Sequence, residues 1–218
     1  MNQPTRHTVR FLWVGLALTC ALLVLAFLLA GLKSRQRTGK PLEVYGQVSP
    51  FTLTNQDNQA VTIAELQGKV WVADIIFTRC PGPCLKMTRQ MLELQAALPP
   101  SSNARLVSLT TDPQYDSPPV LKAYAQRFGT DPKRWMFLTG TPKAIANLAI
   151  DSLKLTAIEK PSDQRDSPAD LFVHSTIFVV VDKHARLRGI FETTGEGVDP
   201  KAVKLDILKA VRQLEREA

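Results

Sequence analysis

The chain has 218 residues, a formal net charge of +7 and 44% hydrophobic residues. Its length suits one domain with a substantial core behind a membrane segment, and a second globular domain is not expected. Part of the positive charge lies beside an apolar run near the N-terminus, where it suits anionic lipid headgroups. No arginines alternate with aromatic residues as a base-stacking surface requires, so the composition argues against a nucleic-acid partner.

Residues 11–32 predict a transmembrane anchor. They contain no charged residue, and a helix of this length extends about 33 Å, enough to cross a bilayer. A cleaved signal peptide is the alternative, but its apolar core is about 7–15 residues long and ends in small residues of the A-x-A type. The Ala-Gly-Leu at the end of this run fits that pattern poorly. We therefore predict an N-terminal tail over 1–10, an uncleaved anchor over 11–32 and a tether over 33–42.

The charges that flank the anchor and the short tail before it indicate opposite orientations in the membrane. Two basic residues at 6 and 10 precede the anchor, and four at 33, 35, 37 and 40 follow it. The positive-inside rule alone would place the large domain in the cytoplasm. The tail is short, however, and anchors of that kind often translocate the chain that follows. Cys20 is then a membrane-embedded residue, because the threonine before it makes a poor lipoprotein context.

Residues 43–218 alternate strand patterns with helix patterns. The predicted strands are short apolar or β-branched runs bounded by turn residues; in chain order they are 48–53, 71–77, 105–110, 135–139, 175–181 and 186–193. The predicted helices have apolar residues at helical spacing and start signals; they follow Thr62, the cysteine loop at 80–84, Ser117, Thr141 and Asp199. A polar segment at 159–170 predicts a loop. The alternation, closed by a hairpin and a last helix, predicts a thioredoxin-like α/β sandwich behind one transmembrane helix.

Cys80 and Cys84 lie where the predicted central strand gives way to a helix. A helix N-terminus carries partial positive charge and favours the thiolate, which is both the nucleophile and the metal ligand. At this spacing the two sulfurs can share one face and either close a disulfide or converge on a soft metal ion. Two inert core cysteines are the alternative, but the Pro-Gly-Pro between them indicates an irregular loop. Asp74, in the preceding strand, either accepts a proton from a buried thiol or only makes hydrogen bonds.

Two other residue types invite a metal interpretation. Met87 and Met91 recur at helical spacing, which is more typical of core residues than of copper ligands. Of the histidines, His7 lies in the tail and His184 in a predicted hairpin turn, so both are expected to be exposed. His174 lies directly before a predicted buried strand, where a histidine is often only a core residue. In a thioredoxin-like fold, however, the loop before this strand faces the cysteine motif.

Several stretches combine in one pattern: 77–84, Met87-Thr88, 112–118, 137–140 and 174–176. In this combination the chain resembles the Sco/SenC family of membrane-anchored copper proteins needed for cytochrome c oxidase assembly. The resemblance covers nearly the whole domain and implies that Cys80, Cys84 and His174 are metal ligands. The cysteine loop departs from the usual family pattern, with Gly-Pro in place of an acidic or polar residue and leucine where a proline is common.

Two thiolates and one imidazole form a soft, low-coordinate site that suits Cu(I) and can also hold Cu(II). Zinc with a water as fourth ligand fits the same residues, so copper is favoured by the resemblance. The resemblance implies a chaperone that receives copper from a donor protein and delivers it to the binuclear copper site of a cytochrome c oxidase subunit. Since that site is exposed outside the cytoplasm, we predict a single-pass protein of the bacterial inner membrane with its soluble domain on the periplasmic face.

Three other functions stay open, and with them the question of whether the chain is an enzyme. As a thiol-disulfide oxidoreductase, Cys80 would attack a partner disulfide and Cys84 would resolve the mixed disulfide. This activity can coexist with copper delivery, because the cysteines of a target copper site must be reduced first. A peroxidase with Thr78 and Arg79 around the peroxide is disfavoured by the second cysteine in the loop. A non-catalytic redox or copper sensor is the third alternative.

Overall fold

The computed structural model describes residues 13, 15–28, 41–80, 82–165 and 171–217, and the chain divides into two compact units, Met1–Pro41 and Leu42–Ala218. In the first unit, residues 15–28 form a helix (α1) with exposed apolar side chains, among them Leu22 and Phe27. Within the described residues, no helix is both long and apolar enough to cross a membrane. The predicted tail, both ends of the predicted anchor and most of the tether lie outside the described residues.

The described residues of the second unit form ten strands. In chain order they are β1 (Gly46–Gln47), β2 (Thr52–Asn55), β3 (Ala60–Thr62), β4 (Trp71–Ile76), β5 (Arg105–Thr110), β6 (Trp135–Thr139), β7 (Ala157–Glu159), β8 (Phe172–His174), β9 (Ile177–Val181) and β10 (Arg186–Glu192). Eight of them form one sheet in the order β1-β10-β9-β4-β5-β6-β2-β3, and β7 pairs with β8 separately. Strands β4, β5 and β6 are parallel, whereas β9 is antiparallel to β4. Every residue of β4 is buried, as expected for a central strand covered on both faces.

The helices of this unit are α2 (Ile63–Leu66), α3 (Pro83–Ala97), α4 (Pro118–Phe128), α5 (Pro142–Ala146) and α6 (Pro200–Arg216). Helices α3, α4 and α6 contribute to one core cluster, which also contains Cys80 and Cys84. Helices α2 and α5 contribute to a second cluster. A sheet with separate helical layers against its two faces is the thioredoxin-like α/β sandwich that the sequence predicts.

The strongest local signals are confirmed at their predicted places. Strands β5 and β6 have the predicted bounds, and the turn between β9 and β10 occupies 182–185. The capping box before α2 is formed: Thr62 N donates to Glu65 Oε2 over 2.7 Å, and Ala64 N donates to Thr62 Oγ1 over 3.3 Å. Helix α4 ends at Gly129, whose φ of 65° is left-handed and suits glycine.

Short strands that depend on a partner differ from the prediction. The single strand predicted over 48–53 is replaced by β1 and by the β2-β3 hairpin, whose turn is held by Asn55 Oδ1 accepting from the backbone of Asp57 and Gln59. The segment predicted as a loop at 159–170 is flanked by β7 and β8, and residues 166–170 lie outside the described part. Strands of two or three residues are stabilised by pairing, which local sequence does not reveal.

Candidate metal and redox site

The structure brings Cys80 and Cys84 together in the segment that joins the end of β4 to the start of α3. Cys80 follows this strand in a tight turn in which its backbone N–H donates to Phe77 O over 3.2 Å. Cys84 is the second residue of α3, directly after Pro83, a residue preorganised for the first helical position. The two side chains are thiols within hydrogen-bond reach of each other, not a disulfide, and their residues are 7% and 0% exposed. The irregular loop thus holds two adjacent sulfurs at the margin of the core.

The pKa of Cys84 differs in direction from the sequence expectation. Burial raises the pKa of this thiol, the Cys80 thiol raises it further, and the negative charge of Asp74 acts in the same direction. The backbone N–H of Phe77, 3.5 Å from the Cys84 sulfur, opposes these effects but is outweighed. The expectation that the helix N-terminus favours the thiolate is therefore wrong for Cys84, because loss of water outweighs the helix dipole. This sulfur keeps its proton at neutral pH.

Asp74 is fully buried in β4 and is part of a buried polar chain. Its Oδ1 accepts a hydrogen bond of 2.6 Å from the hydroxyl of Ser108 on β5, and Trp135 Nε1 donates to the Ser108 oxygen over 3.0 Å. The carboxylate is therefore in the middle of the sheet, and its hydrogen bonding is part of the fold. The negative charge of Asp74 raises the pKa of Cys84. Transfer of a proton from this thiol to Asp74 stays a prediction.

A second buried polar pair joins Thr88, which belongs to the family pattern, to Tyr124, which no sequence motif singles out. The hydroxyls of Thr88 on α3 and Tyr124 on α4 are 2.8 Å apart. Burial raises the pKa of the Tyr124 phenol, and the neighbouring Cys84, Asp74 and Cys80 reinforce this. Tyr124 was missed because it lies forty positions after Cys84 on another helix, and no local pattern links the two residues.

The loop before Cys80 is bound by a turn at 112–116. Arg79 forms an ion pair of 2.5 Å with Asp112 and stacks over the ring of Tyr115, 4.0 Å from its centroid. Thr78 donates its backbone N–H and its hydroxyl to the two carboxylate oxygens of Asp116. The side chains that a peroxidase would use around its peroxide are thus engaged by carboxylates.

His174 ends strand β8, opposite Ala157 of β7 in the strand register. Its side chain lies outside what the structure describes, so its role as a ligand stays a prediction. Two residues earlier, the ring of Phe172 packs edge to face against Phe77, with 5.3 Å between centroids. This contact brings β8 to the residue that begins the cysteine turn. Among the described side chains, no group of three or more His, Cys, Asp and Glu is arranged to hold a metal.

The remaining candidate residues fall where expected or beyond the described part. Met87 and Met91 are fully buried in the core cluster of α3, which confirms their interpretation as core residues. His184 is exposed in the β9-β10 turn, as predicted. His7 lies outside the described residues.

Comparison with known proteins agrees with this arrangement. The family model described as SCO1/SenC matches residues 40–211. The SCO1 protein homolog of Bacillus subtilis is 36% identical over 137 residues, which are 62% of this chain and 68% of that relative. The structure is similar to that of BsSco, described as a member of the Sco family of cytochrome c oxidase assembly proteins with a disulfide switch. In that match the TM-score is 0.67 and the identity 29%, and it covers 82% of this chain and all of that one.

A second solved structure, Bradyrhizobium japonicum ScoI with copper bound, has a TM-score of 0.61 and 26% identity. The match covers 76% of this chain and 99% of that one. The family match therefore extends over the thioredoxin-like unit, including the cysteine turn, the 112–116 turn and strand β8. On this evidence the chain belongs to the SCO1/SenC family.

Proposed function

We propose that this protein is a copper chaperone that binds copper through Cys80, Cys84 and His174 and delivers it to the binuclear copper site of a cytochrome c oxidase subunit. The observation that carries this proposal is the pair of buried thiols in mutual contact at the start of α3. The relatives support it, since ScoI was solved with copper bound and BsSco is described as an oxidase assembly protein. Copper is thus the cargo of the site.

The surroundings of the thiols favour Cu(I) as the form carried. A soft ion with few ligands suits two thiolates, whereas zinc at the same residues needs a water to complete its usual four ligands. Cys84 is fully buried and Cys80 nearly so, which leaves little room for added water at the sulfurs. Binding requires both sulfurs to lose their protons, so copper uptake releases protons from this site.

The backbone near β8 supports His174 as the third ligand. The Phe172–Phe77 contact joins this strand to the cysteine turn, and His174 is the last residue of the same strand. A neutral imidazole nitrogen would then add a ligand without adding charge. The ligand set would be one nitrogen and two sulfurs.

The proposed location follows from the predicted anchor and the proposed cargo. The uncharged run at 11–32 would hold the chain in the bacterial inner membrane as a single-pass protein. The soluble unit would then lie on the periplasmic face, where it receives copper from a donor protein and meets the oxidase subunit.

The proposal is tested by His174→Ala in cells that carry only the variant and grow with limiting copper. We expect oxidase activity to fall strongly at normal protein level. His184→Ala is the matched control, because His184 is exposed in a hairpin turn and should leave the activity unchanged. Full oxidase activity with His174→Ala would show that the imidazole is not a ligand needed for delivery.

A thiol-disulfide oxidoreductase is the second candidate, favoured by the contact between the two thiols and by the disulfide switch described for BsSco. Cys80, the more accessible of the two, would attack a partner disulfide, and Cys84 would then displace the reduced partner and leave a Cys80–Cys84 disulfide. Two electrons and two protons pass to the partner in this exchange. In this case His174→Ala would retain oxidase assembly, and Cys80→Ser or Cys84→Ser would abolish it.

A further inference from the structure

Two consecutive residues before Cys80 are each held by a carboxylate of the same turn. Arg79 contacts Asp112, and Thr78 contacts Asp116. The two contacts differ in burial: the Arg79 side chain is 41% exposed, whereas Asp116 is fully buried. Water and salt weaken the first contact much more than the second. The firm attachment of the cysteine turn is therefore the one made by Asp116.

Asp116 joins three parts of the fold through one carboxylate. Its Oδ2 accepts from Thr78 N over 3.1 Å and from the hydroxyl of Thr110, at the end of β5, over 2.5 Å. Its Oδ1 accepts from the hydroxyl of Thr78. The turn itself is closed by Asp116 N donating to Asp112 O over 2.8 Å. Three hydrogen bonds from two segments converge on this one carboxyl group, so it fixes Thr78 relative to β5.

Cys84 is positioned by other contacts. It lies on α3, and its sulfur accepts the backbone N–H of Phe77. The separation of the two sulfurs therefore depends on how firmly the short segment from Phe77 to Cys80 is held against the helix. Thr78 is in the middle of that segment, and Asp116 is its acceptor for both the N–H and the hydroxyl.

We infer that Asp116 is a positioning residue that holds Cys80 next to Cys84 through its hydrogen bonds to Thr78. Loss of the carboxylate leaves two donors of Thr78 and one of Thr110 without this acceptor, and the Cys80 turn gains freedom. The effective concentration of one thiol at the other then falls, which disfavours the intramolecular disulfide. The inference deepens the proposed function. It rests on that function only where it treats the two thiols as copper ligands.

The experiment measures the thiol-disulfide equilibrium of the metal-free full chain in detergent. The protein is equilibrated in glutathione buffers of graded potential, and the reduced fraction is read by thiol alkylation. For Asp116→Ala we expect the equilibrium constant for disulfide formation to fall about 10-fold, equivalent to a rise of about 30 mV in the midpoint potential. Because no copper is present, failure of the copper proposal does not affect this result.

Two further variants separate positioning from general stabilisation. Asp116→Asn keeps an acceptor for Thr78 N and Thr110 and a donor for the Thr78 oxygen, so we expect the equilibrium constant to stay within about 3-fold of the wild type. Asp182→Ala is the matched control: it removes another buried carboxylate, one that holds Arg188 in the β9-β10 region. It should lower the melting temperature without moving the potential.

The inference is overturned if Asp116→Ala leaves the potential unchanged, or if Asp182→Ala shifts it as much. Should Asp116→Ala fail to fold, Thr78→Val decides the matter, because it removes the hydroxyl contact while leaving the backbone N–H and the side-chain shape. We expect about a 3-fold loss in the equilibrium constant for that variant, since one of the two contacts remains. No change in Thr78→Val would then contradict the inference.

Discussion

The backbone N–H of Phe77 donates to the sulfur of Cys84 across 3.5 Å and links the end of the central strand to the first turn of α3. A donor at this place stabilises a thiolate, yet burial prevails and raises the pKa of Cys84. The sulfur is thus held by this hydrogen bond while it keeps its proton. Copper binding at this sulfur must displace that proton, and the consequence can be measured.

Copper affinity should rise with pH. Because the raised pKa keeps Cys84 protonated near neutrality, each proton displaced on binding makes the apparent Cu(I) affinity increase about 10-fold per pH unit. Competition with a Cu(I) chelator of known proton affinity at several pH values around neutrality measures the slope. Cys84→Ser should lose most of the affinity and have a shallower slope. A flat profile in the wild type would show that no thiol proton is displaced.

His174→Ala should separate copper binding from thiol chemistry in the purified protein. We expect the Cu(I) affinity to fall about 10-fold or more, at the lower end of the loss seen even when partners of metal ligands are changed. The disulfide potential should stay the same, since the thiols are intact. His184→Ala serves as the control for loss of an exposed imidazole. Equal Cu(I) affinity of the two variants would exclude His174 as a ligand.

The buried methionines should contribute to stability without binding copper. Met87 and Met91 are fully buried in the core, so Met87→Leu, which nearly conserves volume, should cost less than about 1.5 kcal/mol of unfolding free energy. Met87→Ala leaves a cavity and should cost about 2–5 kcal/mol. Urea unfolding gives both values, and elemental analysis after desalting gives the copper content. Loss of copper from a well-folded Met87→Leu protein would show that the thioether is a ligand.

Acid should destabilise the soluble unit partly through Asp182. Burial alone would raise the pKa of this carboxyl, but hydrogen bonds from the backbone of Arg186 and from the side chains of Arg188 and Arg186 together lower it below its usual 3.8. A lowered folded-state pKa contributes stability above pH 3.8 that is lost as the pH falls through the folded value. Asp182→Asn should therefore be less stable than the wild type near neutrality, with the difference shrinking in acid. Urea unfolding across this range tests it, and a constant difference would refute it.

The predicted anchor should decide where the protein is found. The full chain should stay in the membrane fraction after an alkaline carbonate wash, because an uncharged helix over 11–32 would be buried in lipid. A chain beginning at residue 41 should remain in the supernatant. Reporter fusions at the C-terminus should show a periplasmic signal, and a cytoplasmic signal would contradict delivery to an oxidase copper site.

The sequence predicts features whose determinants lie within a few neighbouring residues. Strands β5 and β6 were placed correctly because each is an apolar run between turn residues, and the capping box of Thr62 and Glu65 specifies its own helix start. The proximity of Cys80 and Cys84 belongs to the same class, since four positions at a helix start bring two side chains to one side. The strands β7 and β8 were missed because each is only three residues long and forms through its partner.

What the sequence alone determined is therefore the order of the α-helices and the longer strands, the thioredoxin-like class, the cysteine pair and its family resemblance. The tertiary structure decided the environment of that pair. Burial in the core cluster that α3 shares with α4 and α6 reversed the expected pKa shift of Cys84. Chain folding also brought Asp116 to Thr78 in the cysteine turn, Ser108 to Asp74 and Tyr124 to Thr88. The reason is physical: hydrogen-bond partners and loss of water depend on which surfaces pack together, and local sequence carries no record of that packing.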